Sequence, residues 1–212
     1  YDSTKIEPES SELSIEGICT KEPAEKLLRA CERIDKAMKE KTIRPMAANI
    51  LFYGPAGTGK TALARYISKK IKRPCLIVRN DQLLDKFVGE SEKNIARMFE
   101  RANRDGSVLI FDEIDSLLYS RGDAMRSWEV TCVNEFLTCL EECKVLCICT
   151  SNRREALDPA SMRRFAYKVE FTYAKKEQIL ALYKKMLDPL CPAPLSDEHL
   201  IETLLSLPHL TP

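Results

Sequence analysis

A glycine-rich segment between Gly54 and Thr61 has the residue types and the spacing that bind phosphate groups. It fits the pattern G-x-x-x-x-G-K-[ST] and lies between an apolar run that ends at Tyr53 and a segment of helical periodicity. Glycines let such a loop curl until successive N–H groups point inward, toward the positive end of the following helix dipole. Lys60 is expected to contact the β- and γ-phosphates of ATP, and the Thr61 hydroxyl to ligate Mg²⁺. The predicted loop comprises Gly54, Pro55, Ala56, Gly57, Thr58, Gly59, Lys60 and Thr61.

Two carboxylates, Asp112 and Glu113, follow the apolar run that begins at Val108. Ligands bind at the carboxyl ends of the strands in an open α/β sheet. Asp112 is therefore expected to hold the Mg²⁺ shell, and Glu113 to polarise the attacking water as a general base. The alternative is a strand that simply ends in a polar turn, which the phosphate-binding loop makes less attractive. Asp115 extends the acidic cluster, and the pattern assigns it no catalytic role.

Alternating strand and helix patterns predict the scaffold that positions these residues. Short apolar runs alternate with segments whose apolar residues recur every three or four positions, and an amphipathic helix over residues 22–39 precedes the first run. This alternation predicts an α/β fold with a parallel sheet that is covered by helices on both faces. The predicted strands are Ile50–Tyr53, Cys75–Val78, Val108–Phe111, Val145–Cys149 and Tyr167–Phe171.

The two ends of the chain differ from this alternating region. Residues 1–20 are polar and carry few periodic apolar positions, which predicts an arm or linker in front of a core over residues 21–172. From residue 173 onward only helical periodicity remains, so residues 173–212 are predicted to form an all-helical lid that is cut short. Because the first residue is Tyr1 rather than methionine, the chain is expected to be part of a longer protein.

Four motifs together resemble those of the AAA+ ATPases, specifically the AAA clade. The resemblance runs from about Leu13 to Pro212, and the motifs fall in the family's order and spacing. It implies a five-stranded, Rossmann-like P-loop ATPase core, a helical lid after it, and a ring of subunits, usually a hexamer, with active sites between neighbours. The motifs are Gly54–Thr61, Asp112-Glu113-Ile114-Asp115, Thr150-Ser151-Asn152-Arg153 and the segment Leu157-Asp158-Pro159-Ala160-Ser161-Met162-Arg163-Arg164-Phe165.

The resemblance also implies roles for three polar residues. Asn152 occupies the place of the family's γ-phosphate sensor, where an amide can position water. Arg163 and Arg164 lie where the family has its arginine fingers, which reach into the neighbouring subunit's site and stabilise charge on the transferring phosphoryl group. The tandem Arg-Arg-Phe departs from the commoner R-P-G-R-F pattern and is similar to the branch that contains spastin and katanin. Which arginine is the finger stays open, as does the alternative of an ordinary surface arginine.

A substrate-contacting loop and two adenine contacts also follow from the resemblance. Phe87, Val88 and Gly89 resemble the family's first pore loop, where rings of side chains grip an extended polypeptide. An aromatic residue before a glycine fits an exposed side chain on a mobile hinge, although Phe87 packed on its own helix is the alternative. Gly17 lies in the segment that resembles the family's adenine contact, and Ile179 lies where a lid residue closes over the base.

Composition limits the partners of this chain. The net charge of +1 does not favour nucleic acid or an anionic membrane as a partner, and no apolar run approaches the roughly 20 residues that span a bilayer. The nine cysteines include no C-x-x-C pair with a neighbouring histidine, so they are predicted to be reduced packing residues. Reduced cysteines are typical of a reducing compartment, and the expected location is the cytoplasm.

These motifs predict an Mg²⁺-dependent ATPase and leave two kinds of function open. The leading hypothesis is an ATP-driven protein unfoldase, translocase or complex-disassembly motor that works as a ring homo-oligomer on a protein substrate. Phe87 carries the inference of threading. The alternative is a nucleotide-gated assembly or loading switch that threads no polypeptide. Glu113, Asn152 and the arginine pair argue against an inactive ATPase, because a pure scaffold has no need of a water-activating carboxylate.

Overall fold

Five strands form one sheet in which all neighbouring strands run parallel, in the order β2-β3-β4-β1-β5. The computed structural model describes residues 18–79, 83, 90–118, 127–153 and 157–174. Parallel neighbours need crossover connections, and those place helices on the faces of the sheet. The predicted α/β class is confirmed. The strands are β1 (Asn49–Tyr53), β2 (Cys75–Arg79), β3 (Val108–Asp112), β4 (Cys147–Ser151) and β5 (Tyr167–Glu170).

Apolar side chains cover both faces of this sheet. On one face, the rings of Phe99, Phe111 and Phe136 pack with centroids 4.9 to 5.7 Å apart. On the other face, residues such as Leu27 and Ile67 pack against β1, β3 and β4. The described helices are α1 (Ala24–Lys39), α2 (Lys60–Lys70), α3 (Glu90–Asp105), α4 (Ser127–Glu142) and α5 (Pro159–Met162), with 3₁₀ turns at Pro45–Ala48 and Ile114–Ser116.

Each of the five strands differs from its predicted bounds by one or two residues, and β1, β2 and β3 are each one residue longer, by Asn49, Arg79 and Asp112. The fourth strand was predicted at Val145–Cys149 and lies at Cys147–Ser151, because the pairing with β1 begins at Cys147 and carries the polar Thr150 and Ser151 into the ladder. The last strand ends at Glu170 rather than Phe171. Phe171 instead forms an antiparallel bridge with Thr20, so residues just before α1 pair with the end of β5.

Asp35, Lys39 and Arg73 form an ion-pair cluster at the amino ends of the strands, the amino-edge cluster. Asp35 of α1 accepts a hydrogen bond from Arg73 Nε at 3.0 Å and lies 2.8 Å from Lys39 Nζ. Arg73 Nη1 also donates to the carbonyl of Gly106 at 3.3 Å. Arg73 and Gly106 stand just before β2 and β3. The cluster therefore ties α1 to two strand entrances.

The cysteines of the described ranges are all free thiols. Cys147 and Cys149 lie in β4 and pack in the same core cluster. Burial raises the pKa of Cys31 to about 12 and raises the pKa of Cys147 well above its ordinary value, so both thiols stay protonated at neutral pH. Within the residues that the structure describes, no helix is long and apolar enough to cross a membrane.

Candidate active site

The phosphate-binding loop leaves β1 at Gly54 and enters α2 at Lys60, as predicted. Gly54 has a φ of 143°, and a Cβ atom there would lie 2.2 Å from the carbonyl oxygen of Phe171. Gly57 and Gly59 have φ angles of 78° and 85°, in the left-handed region that favours glycine. The glycines are thus required by the backbone path and by the close approach of the strand end that follows β5.

Lys60 is buried at the start of α2, with 6% of its surface exposed. Its Nζ atom donates hydrogen bonds to the carbonyl oxygens of Gly54 and Pro55, at 2.9 and 2.7 Å. Burial lowers the pKa of Lys60, and the nearby carboxylates of Asp115, Asp112 and Glu113 oppose that shift. The ammonium group is thus held inside the loop by neutral carbonyl groups.

Asp112 ends β3 and meets the loop from across the cleft. Its Oδ1 atom accepts a hydrogen bond from Thr61 Oγ1 at 2.6 Å and another from Thr150 Oγ1 at 2.7 Å. Thr61 and Asp112 are the two predicted metal-binding residues, and the structure brings them together although 51 positions separate them. No ion pair to Asp112 is found among the described residues.

Glu113 follows Asp112 in a left-handed backbone conformation, with φ 58° and ψ 56°. Its side chain is exposed, and Oε1 accepts a hydrogen bond from Asn152 Nδ2 at 3.1 Å. The predicted general base and the predicted sensor are therefore neighbours. The amide can hold the carboxylate while leaving its second oxygen available to a water molecule.

Asp115 fixes the end of β4. Its carboxylate accepts hydrogen bonds from Ser151 Oγ at 2.5 Å, from the Asn152 N–H at 2.9 Å and from the Arg153 N–H at 3.3 Å. Sequence reasoning assigned this residue no role, and the structure shows that it anchors the segment that carries Asn152. The D-E-x-D spacing was the available signal, because Ile114–Ser116 form a 3₁₀ turn that brings Asp115 back toward the sheet.

A cleft of about 270 Å³ joins these groups and suits a nucleotide phosphate chain with Mg²⁺. Mg²⁺ is commonly held by one or two protein oxygens together with phosphates and waters, and Thr61 and Asp112 offer that donor set. Thr150, which the sequence reasoning did not single out, is also part of the wall. The lining residues are Ala56, Gly57, Gly59, Lys60, Thr61, Ala62, Asp112, Glu113, Thr150 and Asn152.

The two predicted finger arginines follow α5 and differ from each other. Neither is among the described residues that line the cleft. Arg164 forms an ion pair with Glu141 of α4, and its backbone carbonyl accepts a hydrogen bond from the buried Asn49 side chain at 3.3 Å. Arg163 is exposed, and its side chain makes no hydrogen bond or ion pair within the part of the chain that the structure describes.

Several predicted residues lie outside the described ranges. These are the pore-loop residues and the two adenine contacts. The same holds for nearly all of the predicted arm and lid. The residues concerned are Phe87, Val88, Gly89, Gly17 and Ile179.

The family model for the ATPase family associated with various cellular activities (AAA) matches residues 50–173, more than half of the chain. The chain belongs to the AAA family of ATPases. This membership confirms the predicted resemblance and the predicted class of enzyme, an ATPase that binds nucleotide. The matched range begins in β1 and includes the phosphate-binding loop, the tandem acids and the arginine pair.

Relatives of this AAA domain include two curated proteins and one solved structure. A Bifidobacterium animalis subsp. lactis protein named as an AAA ATPase forming ring-shaped complexes is 38% identical over 161 residues, covering 68% of this chain and 31% of that protein. The vesicle-fusing ATPase of Caenorhabditis elegans is 40% identical over 130 residues, covering 54% and 16%. The crystal structure of the FIGL-1 AAA domain in complex with ADP has a TM-score of 0.65 and 26% identity, over 85% of this chain and 62% of that one. The chain spans less than two fifths of the length of the curated relatives that it matches.

Proposed function

We propose that this AAA domain hydrolyses ATP at a cleft formed by the phosphate-binding loop and the ends of β3 and β4. The observation that carries the proposal is the grouping of Lys60, Thr61, Asp112, Glu113 and Asn152 around one cleft. A P-loop cradle alone binds phosphate, whereas a carboxylate held beside it by an amide can also activate water. The ADP bound to the similar FIGL-1 AAA domain supports a nucleotide as the ligand of this fold.

Each residue of the cleft has a distinct task in this proposal. Lys60 turns its ammonium group from the carbonyls of Gly54 and Pro55 to the β- and γ-phosphates. Thr61 and Asp112 hold Mg²⁺, which when bound neutralises charge that develops on the phosphates. Glu113 accepts a proton from the attacking water, and Asn152 orients the Glu113 carboxylate.

We propose that Arg163 is the arginine finger that reaches into the neighbouring subunit's site. Arg164 is already paired with Glu141, so moving it into another subunit's site would leave that carboxylate without its cation. Arg163 is exposed and holds no partner among the described residues, so its guanidinium is free to reach a phosphate. The relative named as forming ring-shaped complexes supports a ring, usually a hexamer in this family.

The work driven by this ATPase is proposed to be the remodelling of proteins, as an unfoldase, translocase or complex-disassembly factor. The support is the likeness of residues 87–89 to a pore loop and the vesicle-fusing ATPase among the relatives. The cytoplasm is the proposed location, because buried free thiols with raised pKa values suit a reducing compartment.

The test measures steady-state ATPase activity of the full-length protein against its concentration, for the parent, Glu113→Gln and Arg163→Ala. Activity is expected to rise steeply with concentration and to fall about 100-fold or more in each variant. Mixing the two variants should restore part of it, because each subunit then supplies the group that its neighbour lacks. Arg29→Ala, an exposed arginine on α1, is the matched control.

Activity that is independent of concentration and indifferent to Arg163 would contradict the shared site. A self-contained nucleotide switch would then be the better proposal. Full activity in Glu113→Gln would contradict the assignment of the general base.

A further inference from the structure

The fourth strand carries a buried hydroxyl group at the level of the tandem acids. Thr150 lies in β4, between β3 and β1, and 1% of its surface is exposed. The β3–β4 pairing aligns Phe111 with Cys149, so the next residue pair along the two strands is Asp112 and Thr150. A buried hydroxyl must find hydrogen-bond partners, because burying it unpaired costs about 1–3 kcal/mol.

The Thr150 hydroxyl uses its donor and its acceptor on two consecutive acidic residues. It donates to Asp112 Oδ1 at 2.7 Å and accepts from the backbone N–H of Glu113 at 3.0 Å. One side chain from a neighbouring strand thus contacts the carboxylate of the proposed metal-binding residue and the backbone of the proposed base. A methyl group in place of this hydroxyl can make neither contact.

The backbone of Glu113 needs such support. Its left-handed conformation costs a non-glycine residue about 1–2 kcal/mol and persists only where surrounding contacts hold it. Among the described residues, Thr150 of β4 accepts a hydrogen bond from the Glu113 N–H, and Asn152, just after β4, donates one to Glu113 Oε1. The Thr150 contact acts on the backbone, so it fixes where the side chain of Glu113 starts.

We propose that Thr150 is a positioning residue that holds Asp112 and Glu113 in their working arrangement. The proposal rests on the function proposed above, because it assigns Thr150 to the same reaction. Thr61 donates to the same Oδ1 atom, but its hydroxyl is also a proposed ligand of Mg²⁺. Thr150 is the donor that can hold this oxygen throughout the cycle. The hydroxyl, rather than the shape of the side chain, is what the site requires.

The test compares Thr150→Val, which keeps the shape and removes the hydroxyl, with Thr150→Ser, which keeps the hydroxyl. In the full-length protein, kcat is expected to fall about 10- to 100-fold in Thr150→Val with KM changed less than about threefold, since a misplaced base affects the chemical step. Thr150→Ser should restore kcat to within about threefold of the parent. Thr138→Val is the matched control, because the exposed Thr138 hydroxyl donates to Asn134 O within its own helix.

A second measurement does not depend on turnover. Hydrogen exchange of the Glu113 backbone amide, followed by NMR without nucleotide, should be at least about tenfold faster in Thr150→Val than in the parent and in Thr150→Ser. Thr150→Ala replaces Thr150→Val in both measurements if the valine variant does not fold.

The outcomes separate the two proposals. Normal kcat in Thr150→Val beside an inactive Glu113→Gln would overturn the role of Thr150 and leave the proposed function standing. An equal loss of kcat in Thr150→Val and Thr150→Ser would also overturn it, because the hydroxyl would then not matter. Full activity in Glu113→Gln would overturn both proposals. Unchanged amide exchange would overturn the claim that the Thr150 hydroxyl holds the backbone of Glu113.

Discussion

The two ends of the parallel sheet both carry charged clusters, and they differ in how those charges are satisfied. At the amino edge, the Asp35 carboxylate lies between Arg73 and Lys39, and Arg73 also bonds the carbonyl of Gly106. At the carboxyl edge, Asp112 and Glu113 are held by hydroxyl, amide and backbone groups, and no ion pair to either is found within the described residues. The carboxylate of the amino-edge cluster is thus ion-paired within the protein. The carboxylates at the carboxyl edge, the open cluster, remain available to a ligand.

The difference shows where charge serves stability and where it serves chemistry. A closed ion pair at a strand entrance ties elements together and offers a ligand little unpaired charge. In the open cluster, burial lowers the pKa of Lys60, and an anion beside its ammonium group would oppose that shift. Left-handed backbone at a non-glycine residue occurs at both ends, at Glu113 in the open cluster and at Lys72 beside Arg73, so it does not distinguish them.

The largest predicted contrast comes from one glycine at each end. Gly54→Ala should lower the free energy of unfolding by about 3 kcal/mol or more, because its Cβ would overlap the Phe171 carbonyl oxygen at 2.2 Å. Gly106→Ala should cost about 1–2 kcal/mol, because its Cβ meets only the flexible end of Arg73, at 2.9 Å, in a left-handed backbone. Urea unfolding of both variants measures the contrast. Equal losses would show that the backbone contact at Gly54 relaxes easily.

The second prediction tests whether the amino-edge cluster serves stability alone. Asp35→Ala should destabilise the fold by about 2 kcal/mol, because Arg73 loses its buried partner. Nucleotide affinity, measured by calorimetry, should stay within about twofold of the parent. Glu22→Ala, which breaks an exposed pair with Lys26, is the control and should cost about 0.5 kcal/mol or less. A large loss of affinity in Asp35→Ala would mean that the two ends are coupled.

The smallest predicted effect concerns pH and the open cluster. The folded pKa of Lys60 lies below 10.5, so between those two values the unfolded chain binds more protons and stability rises with pH. Lys60→Met lacks this rise. Without nucleotide, the unfolding free energy of the parent minus that of Lys60→Met should therefore increase as pH approaches 10.5. Parallel curves would contradict the buried state of Lys60, and chemical unfolding across this pH window is the measurement.

Local patterns in the sequence were sufficient to predict the strands, the phosphate-binding loop and the family. The strands could be predicted because buried parallel strands are short apolar runs, and the phosphate-binding loop because its glycines and Lys60 are consecutive. The same holds for Asp112 and Glu113, which follow an apolar run directly. The family was predicted from the order of these motifs, and its model match confirms it. The individual roles of the site residues, the pore loop and the likeness to the spastin and katanin branch stay predictions.

Only the tertiary structure decided which polar groups meet. Thr150 contacts Asp112 because the register of β3 and β4 aligns them, and Asn152 reaches Glu113 because a left-handed residue turns the chain at that point. The ion pair between Arg164 and Glu141, which lies on another element, distinguishes Arg164 from Arg163. Side-chain periodicity specifies the face of a strand that is buried, but the neighbour along that face is set by strand order and register. Those are properties of the assembled sheet, in which residues tens of positions apart become adjacent.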